Sequence, residues 1–519
     1  MTRRTIAGPI VALVVTAVLA GCGGGSSVNV GGDGGSTSGG SSSSGGGGGT
    51  FVAAISAQPN GLDPQKTTAY SSFEVLNNIY DTLVVPNAKT LAMEPQLATS
   101  WKQSANHLTW IFHLRHGVKF DDGSSFDAAD VVYSFDRIID NKLSNAYRFA
   151  TVKHIKALNR YTVEFQLSKP TPNLLADVGA YKGLAILPKG AAQKMNLNTH
   201  TDGTGPFELQ SQGPGSITLI ANPHYWGKTP SVSKIVYRFI SDPTTALTAL
   251  RTGEVDWTDN VPAQDIDSLK SDNSVTVGIA PSVDYWYMTM NYAHKPFGNP
   301  KVREAISYAI NRRAIMQAAT FGAATVNETA IPKGSYWYLH YAPYTQNIAK
   351  ARSLLAQAGV SHLTMGMMVT NEYPQSVQAA QVVAAELAKV GITVRIQTLD
   401  FATWLDNESK GDYDSFILSW LGNIDPADYY QAQQECNGAD NFQHYCSHKV
   451  DRLLNAAATE LNKSKRHQLY DQAVRQIVND NSYIYLYNPD VVEAWSHNVS
   501  GYQIRADRAI DFSAVRLSK

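Results

Sequence analysis

Residues 94–139 read EPQLATSWKQSANHLTWIFHLRHGVKFDDGSSFDAADVVYSFDRII, and two hydrophobic periods in this stretch leave little choice of local structure. Leu108, Trp110, Phe112 and Leu114 alternate with Thr109, Ile111, His113 and Arg115, the period of two that gives a strand one buried face. Gly117 and the Asp121-Asp122-Gly123 turn then break the chain ahead of Phe126. Asp127 has the short acceptor side chain of an N-cap, and Val131, Val132, Phe135, Ile138 and Ile139 form the apolar face of the helix that follows. No catalytic pattern occurs within it.

At 519 residues the chain exceeds one ordinary core, so two or three subdomains are expected. A formal net charge of −1 offers no basic field to a nucleic acid. Membrane-directed sequence is confined to the start. Arg3 and Arg4 precede an apolar run over residues 10–19, too short to span a bilayer, which ends in Leu19-Ala20-Gly21-Cys22. That order resembles a bacterial lipobox, with residues 1–21 as signal peptide and Cys22 as the lipidated first residue. Residues 22–50 are rich in Gly and Ser and lack apolar surface to bury, which predicts a flexible tether reaching about 30 Å. The other two of the three cysteines, Cys436 and Cys446, then lie outside the cytoplasm, where a disulfide is the default. A metal site with His444 and His448 is the alternative, weakened by the lack of a paired Cys-x-x-Cys.

Beyond residue 50 the periodicities continue. Phe51-Val52-Ala53-Ala54-Ile55 predicts a first strand, and residues 72–80 a helix with Val75, Leu76 and Ile79 on one face. Pro243 opens a helix that Gly253 closes. Asn299 caps another at Pro300, whose pattern V-R-x-A-x-x-x-A-I-N-R-x-x-I carries on through Asn311. Residues 363–369, a helix over 376–390 ended by Gly391, and residues 392–396 predict a βαβ unit with parallel strands. Residues 413–420 read as a buried strand.

The strings L-A-x-S-W, T-W-x-F-x-L-R-x-G-V-K-F-x-D-G and F-x-A-x-D-V-x-Y-S-F, with Leu62-Asp63-Pro64 and Thr204-Gly205-Pro206-Phe207-Glu208-Leu209, closely resemble the family 5 extracellular solute-binding proteins, the peptide- and nickel-type receptors of ABC importers. The resemblance covers nearly everything from Phe51 to the C-terminus. It implies an α/β, two-lobed periplasmic-binding-protein-like fold of type II, a large variant with an extra subdomain and a hinge between lobes. Lobe I is expected over residues 51–290 with the subdomain inserted at about 88–205, lobe II over 291–485, and a return to lobe I over 486–519. The lobe crossings are expected near residues 287–291 and 485–491.

Ligands of open α/β sheets bind at the carboxyl ends of strands, which places Trp420-Leu421-Gly422-Asn423-Ile424-Asp425-Pro426 at the crevice. In the peptide-binding relatives the residue three after this Trp is an Asp that pairs with the peptide ammonium. Here it is Asn423, and a neutral amide repays the desolvation of a cation less well than a carboxylate. Asp425 is either a substitute or a plain turn residue. The expected ligand-binding set is Thr68, Tyr70, Tyr285, Trp286, Trp404, Trp420, Asn423 and Asp425. Core burial is the alternative for Tyr285 and Trp404, and helix entry for Thr68 and Tyr70.

No catalytic residue, metal or cofactor is expected. Ser231-Val232-Ser233-Lys234 and Ser271-Asp272-Asn273 lack the accompanying K-T-G of the penicillin-interacting enzymes, and Gly227-Lys228-Thr229 lacks the first glycine of a Walker A loop. The resemblance therefore implies a monomeric, extracytoplasmic, lipid-anchored receptor. It would hand oligopeptides or dipeptides to permease subunits driven by separate ATPase subunits. An opine, an oligosaccharide or a nickel chelate is the alternative cargo, and an anchored hydrolase the alternative function.

Overall fold

The computed structural model describes residues 48–519 except 180, 181, 423 and 519, so the signal peptide, Cys22 and nearly all of the tether lie outside the described residues. The apolar strand Gly49–Ile55 is buried between Val232–Phe239 and Trp257–Thr258 and runs parallel to both. With its antiparallel neighbours it forms one half of a twelve-stranded mixed sheet. The other half contains Ile392–Leu399, Leu363–Thr370, Ser415–Trp420 and Tyr285–Met290 in that order. As the periodicity predicts, Leu363–Thr370 and Ile392–Leu399 pair in parallel along their whole length, joined by the helix Pro374–Ala388.

Two passages of chain connect the halves. The long strand Tyr483–Ser496 pairs up to Tyr487 with Tyr285–Met290 and from Asp490 onward with Val275–Pro281. The second passage lies between Pro281 and Tyr285, earlier than the expected 287–291. The difference has a plain cause: all six residues of Tyr285–Met290 are committed to the second half by pairing with Ser415–Trp420.

The stretch over residues 94–139 builds a body of its own. Ala98–Gln103, Thr109–Leu114, Thr162–Leu167 and Val152–Asn159 form a four-stranded antiparallel sheet, and Trp110, Phe112 and Leu114 enter a core beneath the helix Ala128–Asp140. Asp127 caps that helix by accepting the Ala129 N–H at 2.8 Å, and Asp130 accepts the Asp127 N–H at 2.8 Å in return. The Leu62-Asp63-Pro64 string also finds its reason here. Buried Arg137 bonds Asp63 through both guanidinium nitrogens, at 2.6 and 3.0 Å, and Gln65 at 2.7 Å, tying the first turn of the chain to the insertion helix.

Two helices differ from expectation. The one expected over 72–80 spans Tyr70–Leu76, and the Asn78 amide takes the Glu74 carbonyl together with Tyr237 Oη and the Ile510 carbonyl. The pattern through Asn311 is two helices, Pro300–Ala309 and Arg312–Thr320. Asn311 has an extended backbone, and its side chain accepts the Ala314 N–H at 3.1 Å, so it starts the second helix instead of continuing the first. Cys436 and Cys446 are joined, with Cα atoms 4.3 Å apart, and His448 Nδ1 lies 3.9 Å from Cys436 Sγ.

Glu408, on the helix Phe401–Lys410, is buried, and burial with the charge of Asp440 pushes its carboxyl from the ordinary 4.5 up to about 8. The folded chain then holds a proton that the unfolded chain releases, so stability falls as pH rises from about 4.5 to about 8. Glu408→Gln is expected to match the parent at pH 4.5 and to exceed it by roughly 2–3 kcal/mol at pH 7. Urea midpoints at the two pH values check this, and an equal difference at both pH values contradicts it.

Candidate ligand-binding site

Ser415–Trp420 runs parallel to Leu363–Thr370, so the carboxyl ends of both strands emerge at one edge of the sheet. From that edge come the segment that leads through Tyr373 into the helix Pro374–Ala388 and the loop that follows Trp420. This is the crevice position for a sheet with parallel strands.

The loop after Trp420 is held by the passage between the sheet halves. Gly422 N–H donates to Asp284 Oδ1 at 3.0 Å, and the Tyr429 hydroxyl donates to the Val283 carbonyl at 2.8 Å. Only glycine fits, because a Cβ on residue 422 would lie 1.7 Å from the Val283 oxygen. Asp284 Oδ2 in turn pairs with Arg508 Nη1 at 3.1 Å. The Arg508 guanidinium lies 4.1 Å over the Tyr70 ring, and the Tyr70 hydroxyl donates to the Arg508 carbonyl at 3.3 Å. Arg508 has a φ of 55°, the left-handed region that non-glycine residues seldom occupy. One polar track thus runs from the first helix through Arg508 and Asp284 to the loop.

The electrostatics around this track are acidic. Burial raises the carboxyls of Glu74, Asp259 and Asp284, with Arg508 opposing the shift in each, and raises Glu493 to about 8. Both Glu74 oxygens are sealed from solvent. From the opposite half of the sheet, the Tyr373 hydroxyl is raised by burial and lies within the fields of Arg508, Glu372 and Glu74. Residues of both halves therefore meet here.

The expected set divides. Tyr70 is in the track, and half-buried Trp420 stands at the base of the loop, opposite Tyr285 across the ladder. Thr68 is exposed just before the first helix. Tyr285 and Trp404 are fully buried in one aromatic core, Tyr285 beside Tyr429 and Tyr485 and Trp404 between Phe401 and Phe416. Trp286 is buried on the other face of its strand, stacked on Tyr487 at 5.9 Å. Asp425 is gripped by Arg466 at 2.6 and 2.7 Å, and its Oδ1 also accepts the Ala427 N–H. Asn423 lies outside the described residues. Sequence reasoning missed Asp284, Tyr373 and Arg508. No local pattern marks them, since each acquires its place through contacts across more than a hundred residues.

The description "Bacterial extracellular solute-binding proteins, family 5 Middle" matches residues 92–441, well over half of the chain. The chain belongs to this family. Its sequence is 28% identical to the dipeptide-binding protein of Escherichia coli K12, over 88% of this chain and 92% of that one. It is also 28% identical to a glutathione-binding protein of Salmonella paratyphi A, over 89% and 93%. Among solved structures, the Helicobacter pylori periplasmic binding protein DppA, in complex with the peptide STSA, aligns with a TM-score of 0.85 at 29% identity, over 91% of this chain and 98% of that one. The agropinic acid complex of AgaA from Agrobacterium tumefaciens R10 aligns with a TM-score of 0.83 at 27% identity, over 91% and 99%. The fold is accordingly that of the two-lobed family 5 solute-binding proteins, and the polar track lies where residues of both sheet halves meet.

Proposed function

We propose that this chain is the extracytoplasmic receptor of an ABC importer, closing on peptide-sized cargo between its lobes and passing it to membrane permease subunits powered by separate ATPase subunits. The observation that carries the reading is the Trp420 loop, anchored through Asp284 and Arg508 to the opposite lobe at the carboxyl ends of parallel strands. Lobe I comprises residues 51–284 with the inserted subdomain and the return after the crossing within Tyr483–Ser496, and lobe II runs from Tyr285 to that crossing, so the strand Tyr285–Met290, included in lobe I by the expected bounds of 51–290, passes to lobe II. The protein acts as a monomer, held to the membrane by a lipid on Cys22, and performs no chemistry of its own. Tyr70 and Trp420 line the cargo site, with Asn423 as a polar contact in the same loop. Tyr285, Trp286, Trp404 and Asp425 support the site from the core.

Dipeptides and oligopeptides are the first cargo class, supported by the dipeptide-binding relative and the STSA complex. An opine-like anion is the second, favoured by Asn423 in place of a carboxylate and by the agropinic acid complex.

Native mass spectrometry of the gently purified protein tests the reading. A ladder of bound peptide masses supports peptide cargo, one defined non-peptide mass moves the assignment to the second class, and turnover of a peptide or ester overturns the receptor. Trp420→Ala is expected to weaken binding of the cargo so found about tenfold or more, with an unchanged thermal midpoint. Unchanged affinity removes Trp420 from the site.

A further inference from the structure

The inserted subdomain and lobe II have separate hydrophobic cores. Arg148 belongs to the first. It lies on the short turn Ala146–Phe149, whose Phe149 ring packs 5.2 Å from Phe135 in the insertion core. Asp428 belongs to the second, on the helix Ala427–Gln434 whose Tyr429 and Tyr430 are fully buried there. The two side chains nevertheless meet, for Arg148 Nη1 donates to Asp428 Oδ1.

The partners on each side are unequal. Within its own subdomain Arg148 is already positioned: Nε donates to Asn145 Oδ1 at 3.1 Å, and Nη1 lies 3.5 Å from Asp177 Oδ1. Asp177 is itself fixed by the Asn173 amide at 2.7 Å. On the lobe II side, Asp428 has less support. Arg466 lies within its field but is taken by Asp425 through both nitrogens, and Asp428 Oδ2 is sealed from solvent with no hydrogen-bond partner among the described residues. Asp440 and Tyr147 also lie within the field of Arg148. The side chains of Arg148, Asp177 and Asp428 are only 9%, 1% and 5% exposed, so the meeting is dehydrated.

A buried pair of this kind adds little net stability, because desolvation offsets the attraction, but separating it or removing one partner is costly wherever the other charge stays buried. Asp428 follows the Trp420 loop directly, and its N–H bonds the Asp425 carbonyl at 3.1 Å. Contact with Arg148 therefore reports the position of that loop to the inserted subdomain.

We propose that Arg148 is a closure clasp: its guanidinium, set in place by Asn145 and Asp177, engages Asp428 when the cleft shuts and prolongs the loaded state. The clasp rests on the receptor reading for its use but not for its test.

The test places nitroxide spin labels on the exposed Lys153, in the insertion, and Lys449, in lobe II, of the full chain, and measures their distance distribution by pulsed electron resonance. The probe is a casein peptide digest, compared with buffer alone. The wild type is expected to populate the short, closed distance. Arg148→Gln and Asp428→Asn should each reduce that population at least fivefold, and Arg148→Lys, which keeps a cation between Asp177 and Asp428, should retain much of it. Retention of the closed distance in both single variants overturns the clasp. A wild type that never shows the closed distance also overturns it, since the two side chains then do not meet in solution. If the wild type closes equally with and without the digest and the variants still lose closure, the clasp stands and peptide cargo fails.

Discussion

Asp63→Ala is expected to remove roughly 3–5 kcal/mol of stability, the largest single effect foreseen outside the cleft. Asp63 is 3% exposed and accepts two bonds from Arg137, which is itself 8% exposed. Truncation leaves a buried guanidinium with Gln65 as its remaining side-chain partner, and a charge in that position cannot recover its hydration. The damage should spread, because this pair joins the first turn of the chain to the helix Ala128–Asp140 and hence the insertion to lobe I. Replacing both partners by apolar residues, Asp63→Leu with Arg137→Met, should restore most of the loss, since the cost lies in the orphaned charge more than in the missing attraction. Urea titrations of the three proteins decide the matter. If the double variant is as unstable as Asp63→Ala, the pair contributes through packing and not through charge compensation.

Gly422→Ala is expected to lower cargo affinity at least tenfold while costing about 1–3 kcal/mol of stability. The added methyl would lie 1.7 Å from the Val283 carbonyl oxygen and 2.7 Å from the Tyr429 hydroxyl. Backbone must move to admit it, and the movement breaks the Gly422–Asp284 bond that fixes the loop after Trp420. This differs from Trp420→Ala, which removes a contact surface and leaves the loop where it is. Calorimetric titration with the cargo identified by mass spectrometry measures the affinity. A Gly422→Ala protein that binds like the parent shows that loop position does not govern capture.

Legibility in the sequence followed the range of the forces involved. Hydrophobic period and capping chemistry act within a few residues, so Thr109–Leu114, the Asp127 cap, the Pro243 and Gly253 ends of the helix Pro243–Thr252, and the parallel βαβ unit were all readable. Misreadings arose where a side chain overrode the local pattern. The apolar face runs through Asn311 as if one helix continued, yet its amide caps a second helix. Aromatic residues near the expected crevice carried an ambiguity that sequence cannot resolve. Tyr285 and Trp286 are adjacent on one strand and face opposite cores, and only the sheets on either side decide which faces what.

By itself, then, the sequence determined most of the elements, the parallel pairing of the βαβ unit, and the family, because these depend on local periodicity and on long strings of residues. The composition of the cleft was decided by tertiary structure alone. Asp425 becomes a buried partner of Arg466, forty-one positions away, while Asp284 holds Gly422 of the Trp420 loop across 138 residues and is itself held by Arg508 across 224. A carboxylate's role depends on which charge and which donor reach it in a dehydrated site, and that choice is made only when distant segments pack.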